Sequence, residues 1–80
     1  MSVAEAMRQA RHASGLTLRA AARRFGLDEA TLCRYERGHR PVPVDIVMRS
    51  PDVYGTPLVV LAWVREMADQ AMQAVAKGVA

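Results

Sequence analysis

Over the first 38 residues, helix-capping side chains alternate with glycine stops: Ser2 and then Ser14-Gly15, Thr17 and then Gly26, Asp28 and then Gly38. A Ser, Thr or Asp oxygen can accept a hydrogen bond from an amide left free in a helix's first turn, and glycine takes the positive φ that ends a helix without a Cβ penalty. Each interval is therefore a short helix. The pattern predicts one over Val3–Ala13, a second over "LRAAARRF" ending at Gly26, and a third over Glu29–Arg37. In the first, Val3, Ala6, Met7, Ala10 and Ala13 recur at three and four, and Glu5 stands three residues after Ser2 as in a capping box. In the second, Ala21, Ala22 and Phe25 share one side, with Arg19, Arg23 and Arg24 mostly on the other.

The rest of the chain is less regular. "HRPVPV" reads as a proline-stiffened loop, after which Val44 to Met48 can form a fourth helix with Pro43 in its first turn. Pro51 lacks an amide hydrogen, so the fourth helix is expected to be short or broken, or Ser50-Pro51-Asp52 to open a fresh turn through Tyr54 that Gly55 stops. Thr56 and Pro57 then start a last helix running to about Ala76, in which Leu58, Leu61, Val64, Ala68, Ala71 and Val75 keep a three-four rhythm. Leu58, Val60, Leu61 and Trp63 are expected to complete the core. The fold class is all-α: a five-helix domain with a long C-terminal amphipathic helix.

Eighty residues with 51% hydrophobic and 24% charged side chains suit one small globular domain. The longest unbroken apolar run, Leu58–Val64, falls far short of the roughly 20 residues of a membrane span, and "MSVAEAMRQ" lacks a signal peptide's apolar segment. A cytoplasmic location is expected. One cysteine, Cys33, allows no internal disulfide, and with the distant His12 and His39 it gives no zinc-ligand spacing. No metal and no cofactor is expected. Cys33 and His39 could pair for nucleophilic chemistry, yet nothing supplies a third orienting group, so the expectation is not an enzyme.

Charge is uneven along the chain. Residues 1–43 hold eight arginines against four acids, a net +4, whereas residues 44–80 hold three basic residues against four acids, a net −1. A basic pole suits a polyanionic partner. Two short helices joined by about three residues around a glycine also describe a helix-turn-helix, whose second helix enters the DNA major groove. That motif needs a small residue where the helices cross, a glycine at the turn and apolar anchors on the second helix. Ala22, Gly26, Leu32 and Tyr35 supply them.

Residues 7–43, "MRQARHASGLTLRAAARRFGLDEATLCRYERGHRPVP", resemble the helix-turn-helix domain of the phage repressor and Cro-like transcriptional regulators, the Xre family. The resemblance rests on Gly15-Leu16-Thr17, Ala22, Gly26-Leu27-Asp28 and Thr31-Leu32-Cys33-Arg34-Tyr35-Glu36-Arg37-Gly38. It implies that Arg11 on the first helix pairs with Glu36 at the end of the third, fixing the angle of the reading helix; two solvated charges are the plainer alternative. The family often places a phosphate-binding glutamine where this chain has Leu18, so that contact loses its side-chain donor.

On the third helix, Leu32 and Tyr35 face inward and Glu29, Ala30, Cys33 and Arg34 share the outer side, which makes these four the candidate base readers. Arg34 can present two donors to guanine O6 and N7, a contact worth ~1–3 kcal/mol of discrimination, or it can contact a phosphate. Ala30 can touch a thymine methyl. Cys33, expected to be exposed, can make a weak contact or act as an oxidation-sensitive switch. Glu29 either favours the positive helix start or accepts from a cytosine amino group. Candidate phosphate contacts are Thr17, Leu18 and Arg19 at the second helix's start, with Arg37, His39 and Arg40 after the third. Arg23 and Arg24 read as solvated-face residues.

Residues 1–55 are thus expected to form the DNA-binding domain, and residues 56–80 to complete the core and support dimerisation. Val64, Met67, Ala68, Ala71, Met72 and Val75 could form the seam of a homodimer, although two heptads are too few for a coiled coil and a frayed tail is the alternative. The reading is a sequence-specific duplex-DNA-binding transcriptional regulator, a dimeric repressor. Two rivals stand beside it: an antitoxin-type protein holding a toxin through its last helix, and an interaction adaptor that keeps the fold without reading DNA.

Overall fold

All three expected caps are made in the computed structural model, which describes residues 1–78. Ser2 Oγ accepts from the amide of Glu5 at 3.1 Å, Thr17 Oγ1 from Ala20 at 3.1 Å, and Asp28 Oδ1 from Thr31 at 2.7 Å. They open α1 (Val3–Ala13), α2 (Leu18–Phe25) and α3 (Glu29–Glu36), and α4 (Val44–Tyr54) and α5 (Leu58–Gly78) follow. The described residues are all helix and connecting turns, with no strand. The last two residues of the expected 56–80 segment lie outside the described ones.

Small side chains let these helices approach closely. Ala6, Met7 and Ala10 of α1, Ala21, Ala22 and Phe25 of α2, and Leu32 and Tyr35 of α3 are buried together with Ile46, Val47 and Tyr54 of α4 and Val59 and Ala62 of α5. Phe25 and Tyr54 meet edge to face, ring centroids 5.4 Å apart, the orientation that aromatic quadrupoles favour.

Two expectations about the C-terminal half are corrected. First, α4 runs unbroken through Pro51. In a regular helix the amide of residue 51 would bond the carbonyl of Val47, and proline cannot. Ser50 Oγ donates to that carbonyl at 2.7 Å instead, inside the core, so the helix continues without leaving an acceptor unmet. Second, Leu61 is not in the core but 60% exposed, whereas Val59 is fully buried. Leu58, Val60 and Trp63 are half-buried against the core. The inward face of α5 is Val59, Ala62 and Glu66, one helical row of spacing three and four, and the apolar rhythm through Leu61 belongs to the opposite side.

α5 is fastened by its middle. Glu66 Oε1 accepts from the amide of Val3 at 3.1 Å, one of the donors that the start of α1 leaves free. Past Glu66 the helix leaves the body, and every described residue from Met67 onward is exposed. No helix among the described residues is long and apolar enough to cross a membrane.

Candidate nucleic-acid interface

The turn between α2 and α3 is built from Gly26, Leu27 and Asp28. Gly26 adopts φ +73°, and a Cβ placed there would meet nothing within 4 Å; glycine is therefore required by the backbone conformation and not by crowding. The amides of Gly26 and Leu27 turn back onto Arg23 and Ala22 carbonyls at 3.1 and 2.9 Å, closing the end of α2. Leu27 packs against the core, and Asp28 caps the next helix. Hydrogen bonds from Thr31, side chain first and amide second, hold the Asp28 carboxyl below its ordinary pKa, with Arg34 and Arg40 adding to the effect.

Helix α3 is sharply sided. Leu32, Tyr35 and Glu36 are buried, whereas Glu29, Ala30 and Arg34 are exposed. Cys33 is half-buried, which corrects the expectation that it stands exposed. The outward side chains of α3 therefore place a carboxylate, a methyl and a guanidinium on one surface.

What holds α3 at its angle is a polar clamp from α1. Arg11 Nε donates to Glu36 Oε2 at 2.8 Å and Nη2 to Oε1 at 3.0 Å, a bidentate pair whose side chains are only 14% and 5% exposed. The guanidinium's third bond, from Nη1 to the carbonyl of Leu16 at 3.2 Å, ties in the loop between α1 and α2. The hydrogen bond from Arg11 to Glu36 raises the Arg11 pKa further, partly offset by burial. Arg8, one turn earlier, donates through Nη1 to the backbone carbonyl of Glu36, placing positive charge at the negative end of α3. Sequence reasoning missed Arg8; its spacing of three before Arg11 was the available signal. The hydroxyl of Tyr54 is buried without a hydrogen-bond partner among the described residues, and burial, followed by the charge of Glu36, pushes its pKa well above the phenol range.

Around this helix the remaining candidates fall on the rim. Thr17 and Arg19 are exposed at the start of α2, and Arg37, His39 and Arg40 are exposed after α3. Leu18 is half-buried against the core, so its amide is the group left to face an anion. The Arg40 guanidinium lies over the Tyr35 ring at 5.9 Å, a cation–π distance. Between α2 and the start of α3 is an open hollow of about 390 Å³ lined by Arg19, Ala22, Arg23, Leu27 and Glu29. A second hollow, of about 460 Å³, lies between the start of α1, the loop after α3, and α5, and touches none of Glu29, Ala30, Cys33 and Arg34. The seam candidates Val64, Met67, Ala68, Ala71, Met72 and Val75 are all exposed on α5, remote in sequence from the base-reading candidates. Among the described residues no three His, Cys, Asp or Glu side chains gather as a metal-binding set.

The model of a helix-turn-helix domain family, within the Xre-like helix-turn-helix group, matches residues 2–64. The chain belongs to this helix-turn-helix domain family. The match takes in α1 to α4 and the first turns of α5, and it points to a DNA-binding regulator. No match is found among curated proteins or among solved structures.

Proposed function

We propose that the protein is a sequence-specific duplex-DNA-binding transcriptional regulator of the phage repressor and Cro-like type, acting as a dimeric repressor. The observation that carries this reading is the sidedness of α3: its inner face is fixed by Leu32, Tyr35 and the Arg11–Glu36 clamp, and its outer face offers Glu29, Ala30 and Arg34. A helix held rigidly by its back can present donors and acceptors to base edges at a constant angle.

In this reading the segment 28–37 enters the major groove, and Glu29, Ala30, Cys33 and Arg34 meet base edges, Cys33 from its half-buried flank. Thr17, the Leu18 amide, Arg19, Arg37, His39 and Arg40 lie against phosphates. Residues 1–55 form the DNA-binding unit. Residues 56–80 support a homodimer whose two reading helices meet an inverted repeat about one helical turn, ~34 Å, apart. Such a dimer represses by occupying a promoter; no catalytic step is involved, and the protein works in the cytoplasm. The exposed apolar side of α5 supports a second reading, in which it holds a protein partner such as a toxin.

Selection of bound duplexes from a random library, followed by titration of the winner, tests the proposal. The expected result is an enriched inverted repeat, with Arg34→Ala relaxing preference at one base position of each half by ~1–3 kcal/mol. Binding that is sequence-blind, or unaltered in preference by Arg34→Ala, would overturn it.

A further inference from the structure

Two arginines that are neighbours in the sequence part company in the structure. Arg23 follows Arg19 by four residues, so the two exposed guanidinium groups stand a turn apart on one face of α2, and both line the hollow that Ala22, Leu27 and Glu29 complete. Arg24 is turned about 100° round the helix and does not border that hollow. Its carbonyl accepts from Arg49 Nη2 at 3.4 Å on the side where Arg49 lies over the Phe25 ring. Neither Arg19 nor Arg23 forms an ion pair among the described residues.

We propose that Arg19 and Arg23 together grip one backbone phosphate of the duplex in this hollow, which makes Arg23 a DNA contact and leaves Arg24 outside the interface. The inference rests on the DNA-binding reading above. Two guanidinium groups a turn apart can donate to the same phosphate from two directions, a charge-assisted arrangement stronger than either alone. Ala22 offers only a methyl between them, which leaves the space open. Glu29 on the facing wall repels the anion from the start of α3, so the phosphate sits on the α2 side and the carboxylate stays turned to the base edges.

The adjacent arginine provides the control. The full chain, Arg23→Gln and Arg24→Gln are each titrated, over a series of salt concentrations, with the selected duplex and with a random-sequence pool, and melting followed by circular dichroism verifies that each variant is folded. Arg23→Gln is expected to weaken binding several-fold at every salt concentration, on the pool as on the selected duplex, because one of two donors to the phosphate is lost while Arg19 still neutralises it, whereas Arg24→Gln leaves affinity unchanged. Equal changes in both variants, or none in Arg23→Gln, would overturn the proposal. If the wild-type chain enriches a sequence but Arg23→Gln keeps full affinity for both the pool and the selected duplex, the phosphate grip fails and DNA reading stands. If the wild-type chain shows no salt-dependent duplex binding, both fall.

Discussion

Helix α3 and the outer part of α5 are both short helical stretches with charged and small residues, yet they are held in different ways. α3 has eight residues, and it is fastened by a cap at its start, two buried apolar side chains on its inner face and two arginines from α1 that hold Glu36 at its end. The outer part of α5 has none of these: from Met67 onward each described residue is exposed, and the helix there relies on alanine-rich propensity and on continuation from its fastened half. Isolated helices shorter than about 12–15 residues are marginal in water. The contrast teaches that order in so small a domain comes from locks between elements, and that the stretch without locks is the one with surface to offer.

The hardest blow to that contrast falls on the clamp. Glu36→Ala leaves the Arg11 guanidinium uncompensated in a mostly buried position, and a loss of about 3–5 kcal/mol is expected. For a domain of this length total stability is on the order of 4–12 kcal/mol, so urea denaturation followed by circular dichroism should show a folded state near its limit. A loss below about 1 kcal/mol would mean that α3 is held by its apolar face alone.

A paired measurement sharpens the comparison. Leu32→Ala empties a fully buried site on α3 and should cost about 2–5 kcal/mol, whereas Val75→Ala on outer α5 should stay within about 0.5 kcal/mol in dilute solution. Similar losses in the two variants would erase the distinction between locked and unlocked helix.

A smaller effect than those at Glu36 and Leu32 is expected at the entry to α3. Asp28→Ala removes the cap and should lower the melting midpoint by a few degrees. Because the folded state holds the Asp28 carboxyl below its ordinary value, the carboxylate stabilises the fold above pH ~3.9 and that contribution is lost as pH falls through the lowered folded pKa. The difference between wild type and variant should therefore close in acid; a difference that persists at low pH would show that the cap acts independently of its charge.

Caps and glycine stops were legible in the sequence because their chemistry is local: Ser2, Thr17 and Asp28 each bond an amide three residues on. Features that needed a neighbour were not. Pro51 reads as a break until Ser50 is seen donating to the carbonyl that the proline leaves unmet. Leu61 reads as core because α5 carries two apolar rows, and periodicity alone does not say which row meets α1 and α4. At the candidate site, the outward positions of Glu29, Ala30 and Arg34 follow from helical spacing. The half-burial of Cys33 depends on what lies beside α3, which no spacing encodes.

The bond from Val3 to Glu66 carries a consequence of its own. α1 receives α5 at its first residue and grips α3 from its middle and last turns, through Arg8 and Arg11. It thus works as a connecting rod between the exposed arm and the exposed reading face. α4 also packs on α5, within the core that all five helices share, so the direction in which the arm points is geared through the body of the domain to the direction in which α3 points.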